Sequence, residues 1–528
     1  MKNKKKRNSK AKKNLLTNPS FWSGIIFILA AVFRLTNLSL IEFKADEALA
    51  IFSAAKFWQQ PFIASNSGVS SIGVLYPPLS YFLITFLSFL SRDPIFISLI
   101  IALINCILIV LFYLVVRKYY GNVVAILSSV WLALSPWAII YSRKIWNPDL
   151  IWLLLLPFFY FLHQLLIDKN KKATLWLFLL LALLMQLQFS GVYLFIVTLV
   201  ILFIYKIKLD YVKAMGGFLL GLIPALPWIY FNLNSQPFCR DCVALWQYTK
   251  LAKAFEPVHL LRPFQFATGL YFDNLLGQDY QSFLNSFPMV SILNIVFWLG
   301  LIFLGLGIYY VFNQQKQWRF LIIYVLLIPL FYLGLRVPAY IYYVVILSPM
   351  IFLLLALGFR WLLDLNKRLT WRLLILGIFV IFQIVNVIFN LSFYQFIKTK
   401  QVINGDYGPV FAKTKEYVEG QIEPYTNLPF YGELKAYSYV YNKPQHLNMK
   451  LGEYLAKKGV PDLAVLEFEK ALQVNNKDIF SRANLTHIYI LSAQLEPAEK
   501  HLEILKTQDS TIAGQLQTLL DQVKTRTP

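Results

Sequence analysis

A chain of 528 residues that is 58% hydrophobic, 17% aromatic and only 14% charged, with a mean hydropathy of +0.56, lies well above ordinary soluble domains. That balance reads as an all-α polytopic membrane protein. The formal charge of +22 could suggest a nucleic-acid partner, but its distribution excludes that reading: residues 1–13 hold eight Lys/Arg and no acid, and most other basic clusters sit in short gaps between apolar runs, as the positive-inside rule requires.

In chain order, the basic segment 1–18 precedes an apolar stretch at 21–35. No small-residue cleavage site follows, and Arg34 interrupts its end, so a retained first helix is expected rather than a cleaved signal. A membrane helix needs about 20 mostly apolar residues. Eleven stretches qualify by hydropathy: 19–38, 95–116, 122–141, 149–167, 173–190, 192–207, 213–233, 288–312, 318–336, 340–359 and 371–392. With the N-terminus in the cytoplasm, the basic gaps 117–118, 168–172, 206–213, 316–319 and 360–372 all fall on that side. The apolar stretch 77–91 is too short to cross, since about 22 Å of helix does not span roughly 30 Å of hydrocarbon. It is read as a re-entrant or interface-lying helix opened by Pro77-Pro78.

This topology sends the loops 39–94 and 234–287, the positions 143–149, 186–190 and 336–343, and everything beyond 393 to the outer face of a plasma membrane. Twelve of the 27 carboxylates lie within 14–393. A charge at bilayer depth costs roughly 2.5–3.5 kcal/mol, so residues that carry one tend to be functional. The doublet Asp46-Glu47 is therefore the first candidate for chemistry, beside the plainer reading of acids at a helix start. Arg143, Lys144 and Arg336 can bind phosphate, Arg143 as a bidentate fork, or can snorkel from helix ends. Asp149, after Pro148, is either a site residue or a cap. Cys239 and Cys242 suit a local disulfide or an ordinary loop pair, and with His259 alone they fall short of a zinc site.

Hydropathy drops after Asn390. Gly405-Asp-Tyr-Gly408 reads as a turn, 394–444 as an extracytoplasmic linker, and 445–528 as a small helical domain. There Leu451-Gly452, Gly459, Ala464, Phe468 and Ala471, then Leu485, Tyr489 and Ala498, fit a tetratricopeptide-like pattern with a 34-residue period from Ala464 to Ala498. Such a tail offers a docking surface for a protein partner.

Several strings then carry a resemblance: Phe43-x-x-Asp46-Glu47, Tyr76-Pro77-Pro78-Leu79, Ser142-Arg143-x-x-x-Asn147-Pro148-Asp149, Pro224-x-x-Pro227-Trp228-x-Tyr230, and Tyr342-Tyr343 with Pro349. In this order, over residues 20–393, they resemble GT-C superfamily glycosyltransferases, nearest the dolichyl-phosphate-mannose protein mannosyltransferases and their bacterial relatives, including aminoarabinose transferases. The resemblance implies a GT-C-like catalytic domain at 19–393 that transfers a hexose or pentose from a polyprenyl-phosphate donor to a protein, lipid or glycan acceptor. It implies Asp46 as general base with Glu47 orienting it, Arg143, Lys144 and Arg336 on the departing phosphate, and Tyr76, Asp149, Gln188, Tyr342 and Tyr343 around the substrates. Relatives often carry His before Pro-Pro and before the Tyr of the late pair, where this chain has Tyr76 and Tyr342, a difference that bears on sugar and acceptor identity. No cofactor is required by the pattern; a divalent metal ion stays open. A glycan polymerase or ligase on lipid-linked oligosaccharide, and a non-enzymatic transporter or assembly scaffold, are the rival classes.

Overall fold

The computed structural model describes residues 18–70, 73–250, 257–269, 272–287, 290–335 and 340–525. Helices dominate, and the extended pairing among the described residues is limited to three isolated bridges, Glu42–Val410, Val69–Leu75 and Val402–Pro409. Helices are what an apolar chain must form in lipid, because they satisfy every backbone N–H and C=O within the segment. The chain divides into two compact units: one is 1–43 with 61–410, the other 44–60 with 411–528.

Among the described residues of the first unit, six helices are long and apolar enough to cross a membrane: Pro94–Tyr120, Tyr211–Asn234, Ile292–Gln314, Lys316–Gly334, Ile341–Leu365 and Leu369–Lys400. Five shorter apolar helices, Pro19–Arg34, Asn122–Leu134, Trp152–Leu166, Ala173–Leu187 and Ser190–Ile204, lie where the remaining spans are expected. Their starts obey local chemistry. Asn18 caps the first helix through Ser20 N at 3.0 Å ahead of Pro19, and Asp93 caps Pro94–Tyr120 through Ile95 N and Phe96 N at 2.8 and 3.1 Å. Ile341–Leu365 forms the centre, with 94% of its apolar window buried against 22% for Tyr211–Asn234. It meets Val290–Gln314 at Gly358 and Gly307, where a Cβ on either would fall 2.1 Å or less from a carbonyl oxygen of the other helix. Small residues at such crossings let backbones approach and pack. The stretch expected at 77–91 contains a helix of nine residues, Leu79–Leu87, about 13 Å long.

One break in this bundle explains a buried charge. Pro136 has no N–H to give the carbonyl of Leu132 four residues back, and the helix stops at Leu134. Arg34, fully buried, donates to Leu132 O at 3.2 Å and Ala133 O at 2.6 Å, while Asn390 donates to Leu134 O at 3.0 Å. The arginine that interrupts the first apolar stretch is thus the donor set for a helix end 98 residues away.

The stretch 394–444, expected as a linker, is shared between the two units and carries helices. The last long helix runs on to Lys400, and 411–440 is helical over Phe411–Ile422 and Tyr431–Val440. Helix Ala45–Gln59, which carries the acidic doublet, packs on Tyr431–Val440, with Phe52 and Tyr437 ring centroids 5.3 Å apart. Beyond it, Pro444–Lys457, Pro461–Val474, Ile479–Leu491, Leu495–Gln508 and Ser510–Lys524 each pack on the next. Ala464 and Ala498 are both fully buried, and Gly452 faces the Phe468 ring so closely that a Cβ would sit 2.8 Å from it.

Candidate active site

The polar residues of the first unit gather around the loop 141–149. Asp149 is 1% exposed, and its Oδ1 accepts from the backbone amides of Arg143 and Lys144 at 2.8 and 2.9 Å. Asn105, buried in the Pro94–Tyr120 helix, donates to the carbonyls of Ser142 and Asp149 at 3.3 and 3.0 Å. A loop that is buried in a bundle must have its backbone groups answered by side chains, and Asp149 and Asn105 do so here.

Arg143 is held by protein groups through both terminal nitrogens. One terminal nitrogen donates to Phe33 O at 2.6 Å and to the Tyr394 hydroxyl; the other donates to Thr36 O at 2.8 Å and Asn37 O at 2.6 Å. Phe33 O is a carbonyl of the last turn of Pro19–Arg34, which lacks an intrahelical donor and attracts a cation, and Thr36 O and Asn37 O lie just beyond it. Of five guanidinium N–H groups four are engaged, and Nε alone has no partner among the described residues. The bidentate fork is occupied by protein.

Lys144 is placed differently. Its ammonium lies 2.8 Å from Glu42 Oε2, with both side chains about 95% buried, and 4.0 Å from the centroid of the Trp146 ring. Glu42 is fixed by its bridge to Val410. A small cavity lies beside the pair, lined by Ile41, Glu42, Ile140, Arg143, Lys144, Phe393, Tyr394 and Tyr407. Tyr407 belongs to the Gly405–Gly408 turn. That turn is fastened to 274–279: Asp406 N to Asn274 O, Tyr407 N to Leu275 O, and Gln278 N to Asn404 O, all at 2.8–3.0 Å. Gly277, at φ +52°, and Gly405 meet with no room for a Cβ on either. Asp279 completes the fastening. Its carboxylate accepts from Asn404 N and Lys400 Nζ, both at 2.8 Å, and these bonds hold its pKa below the usual carboxylate range.

An aromatic chain links Lys144 to the other expected substrate residues. Trp146 packs on Tyr342 at 4.8 Å, and Tyr342 on Tyr343 at 4.5 Å. Gln188 Nε2 donates to Tyr342 O at 3.0 Å, while its buried Oε1 has no partner among the described residues. Tyr76 stacks on Phe189 with centroids 4.6 Å apart and planes 15° from parallel. Tyr76, Lys144, Asp149, Gln188, Tyr342 and Tyr343 therefore form one connected neighbourhood.

The doublet lies in the second unit, where its two members differ. Glu47 is 1% exposed and its Oε2 accepts from Lys44 N at 2.9 Å, closing the start of helix Ala45–Gln59. Asp46 is exposed. Arg336 lies outside the described residues. Cys239 and Cys242 form a disulfide. No group of three or more His, Cys, Asp or Glu side chains suited to a metal ion occurs among the described residues. Sequence reasoning passed over Glu42, Asn105 and Tyr407. For Glu42 the signal was available, since it is a rare acid four residues before Asp46.

Residues 76–231 match the family model described as dolichyl-phosphate-mannose-protein mannosyltransferase. The matched segment spans Tyr76, Arg143, Lys144, Asp149 and Gln188. Among solved structures, the chain is similar to ArnT from Cupriavidus metallidurans in the apo state, with a TM-score of 0.44 and 13% identity over 89% of this chain and 77% of that one. It is also similar to ArnT of the same organism bound to undecaprenyl phosphate, with a TM-score of 0.42 and 11% identity over the same shares. No curated protein matches the chain.

Proposed function

We propose that this protein is an integral-membrane glycosyltransferase that moves a hexose or pentose from a polyprenyl-phosphate donor to an acceptor hydroxyl at the extracytoplasmic face, with inversion. The observation that carries the reading is the placement of Lys144 and Gln188 within the matched segment 76–231, at opposite ends of one aromatic chain. Aromatic faces with a few polar groups suit a sugar. The buried, unanswered Oε1 of Gln188 suits a sugar hydroxyl.

In this mechanism the acceptor oxygen attacks the anomeric carbon, the bond to the donor phosphate breaks, and the polyprenyl phosphate departs. Lys144 is the cation for the charge that develops on that phosphate, replacing part of its contact with Glu42. Arg143 holds the loop that presents Lys144. Asp46 is the general base that takes the acceptor proton: its carboxylate is exposed, whereas that of Glu47 closes a helix start. The disulfide Cys239–Cys242 supports an oxidising compartment for the 234–287 loop, and with it the outward face. The tail is proposed to be tetratricopeptide-like and to dock a protein partner.

The test uses full-length protein in liposomes with a polyprenyl-phosphate-linked sugar. Asp46→Asn is expected to keep its fold and lose transfer by about 10²–10⁴-fold. Undiminished transfer by that variant removes Asp46 as base. Products longer than one sugar would favour a polymerase.

A further inference from the structure

The described residues 67–70 and 73–76 pair as a small antiparallel hairpin, bridged at Val69–Leu75, whose internal bonds are few. Ser70 N donates to Val74 O at 2.8 Å, Ser67 N to Tyr76 O at 3.0 Å, and Tyr76 N to Gly68 O at 2.9 Å. Gly68 and Gly73 take φ of +115° and +78°, conformations open to glycine and strained for other residues. A lone two-stranded hairpin is marginal in water, so something beyond it must fix where Tyr76 points. One backbone amide of the hairpin reaches out: Leu75 N donates to Asp241 Oδ1 at 3.2 Å, across 166 residues.

Asp241 is built to receive it. The side chain is 4% exposed, and its Oδ2 accepts from Trp228 Nε1 at 2.7 Å and Asn232 Nδ2 at 3.0 Å. Asn232 Oδ1 in turn accepts from Asp241 N at 3.0 Å, and Asn232 O accepts from Cys239 N at 2.9 Å. A buried carboxylate is stable only when donors answer it, and three do. The Cys239–Cys242 disulfide closes a covalent ring around Asp241, so the carboxylate sits on a turn that cannot unwind freely. Directly after Leu75, Tyr76 lies on Phe189, the residue next to Gln188.

We propose that Asp241, carried on the disulfide-closed turn, is a positioning residue that holds the paired segments 67–70 and 73–76 and thereby aims Tyr76 at the sugar-binding neighbourhood. What Tyr76 is aimed at rests on the glycosyltransferase reading; that the hairpin hangs from Asp241 does not. Loss of the carboxylate frees the Leu75 amide and lets the hairpin pivot on its two glycines. A misplacement of about 1 Å at a reacting centre can cost on the order of 100-fold in rate.

The test compares wild type, Asp241→Ala, Asp241→Asn and the double variant Cys239→Ser/Cys242→Ser as full-length protein in lipid nanodiscs. Hydrogen–deuterium exchange is read over 67–76, with 94–120 as internal control, and sugar transfer is measured alongside. Asp241→Ala is expected to speed exchange several-fold in 67–76 alone and to lower transfer by about 10- to 100-fold. Asp241→Asn, which keeps one acceptor oxygen, should fall between it and wild type. Unchanged exchange in 67–76 overturns the tie, and faster exchange with undiminished transfer overturns the positioning role. If the wild type transfers no sugar, the glycosyltransferase reading fails while exchange still decides the tie. If Asp241→Ala does not fold, the cysteine variant decides: faster exchange at 67–76 supports the clamp, and unchanged exchange there refutes it.

Discussion

The loop at 141–149 and the helices after 444 both carry charged residues, and they treat them in opposite ways. In the loop, Arg143, Lys144 and Asp149 are each at least 96% buried and locked to protein groups. In the tail, pairs such as Lys506–Glu503 and Lys524–Glu499 stand largely in water. Charge in an apolar bundle is costly to bury, so each group is held by named partners and is available to a substrate only where a partner can be exchanged. Charge in these surface pairs has water as an alternative partner and constrains little. A basic residue in the bundle is therefore informative, but its partners decide whether it builds the fold or serves the site.

Substitution of Arg143 tests that contrast most severely. Arg143→Ala leaves Thr36 O without its donor, while Phe33 O keeps the Tyr394 hydroxyl at 2.8 Å and Asn37 O keeps Leu40 N at 3.0 Å. A buried acceptor left unanswered costs roughly 1–3 kcal/mol, so a loss of about that size is expected, read as a lower melting midpoint in detergent. A variant as stable as wild type would break the claim that Arg143 is architectural and would restore it as a phosphate ligand.

Acidification should separate the two regions by the pH at which each loosens. His501 in the tail has its pKa lowered by burial, then by Arg482 and Lys500, with Glu469 acting the other way. The folded state therefore binds fewer protons than the unfolded one near neutrality, and stability falls as pH drops below the ordinary histidine value of about 6.5. Asp279 has a lowered carboxyl pKa. Its contribution is complete above about 3.9 and is lost only as pH falls through the folded value. Hydrogen exchange from pH 7 downward (the range is set by these two groups) should thus open 479–508 before 272–280. The reverse order would contradict both assignments.

The smallest effect is expected at the tail surface. Lys506→Ala removes an exposed pair and should change the melting free energy by no more than about 0.5 kcal/mol. A large loss would place that pair in a contact that water does not screen.

Much of this was legible from residues alone. Apolar length and basic gaps marked every long helix of the first unit, and small residues spaced at 34 marked the buried alanines of the tail. The site was legible in part: Tyr76, Lys144, Asp149, Gln188, Tyr342 and Tyr343 come together as their order suggested. Arg143 and Lys144 are neighbours in sequence and were expected to share a role, yet the loop turns one toward a helix end and the other toward Glu42. The helix after Phe43 looked like part of the membrane domain because it follows the first apolar stretch, but it packs with 431–440.

The sequence by itself determined that this chain fills a bilayer with helices and ends in a helical tail, since hydropathy, charge bias and repeat spacing are sums over neighbouring residues. Only the tertiary structure decided which polar side chains remain available, because a hydrogen bond from Arg143 to Phe33 or an ion pair from Lys144 to Glu42 joins positions more than 100 residues apart. No local pattern records that exchange of partners, and it is there that architecture and chemistry part.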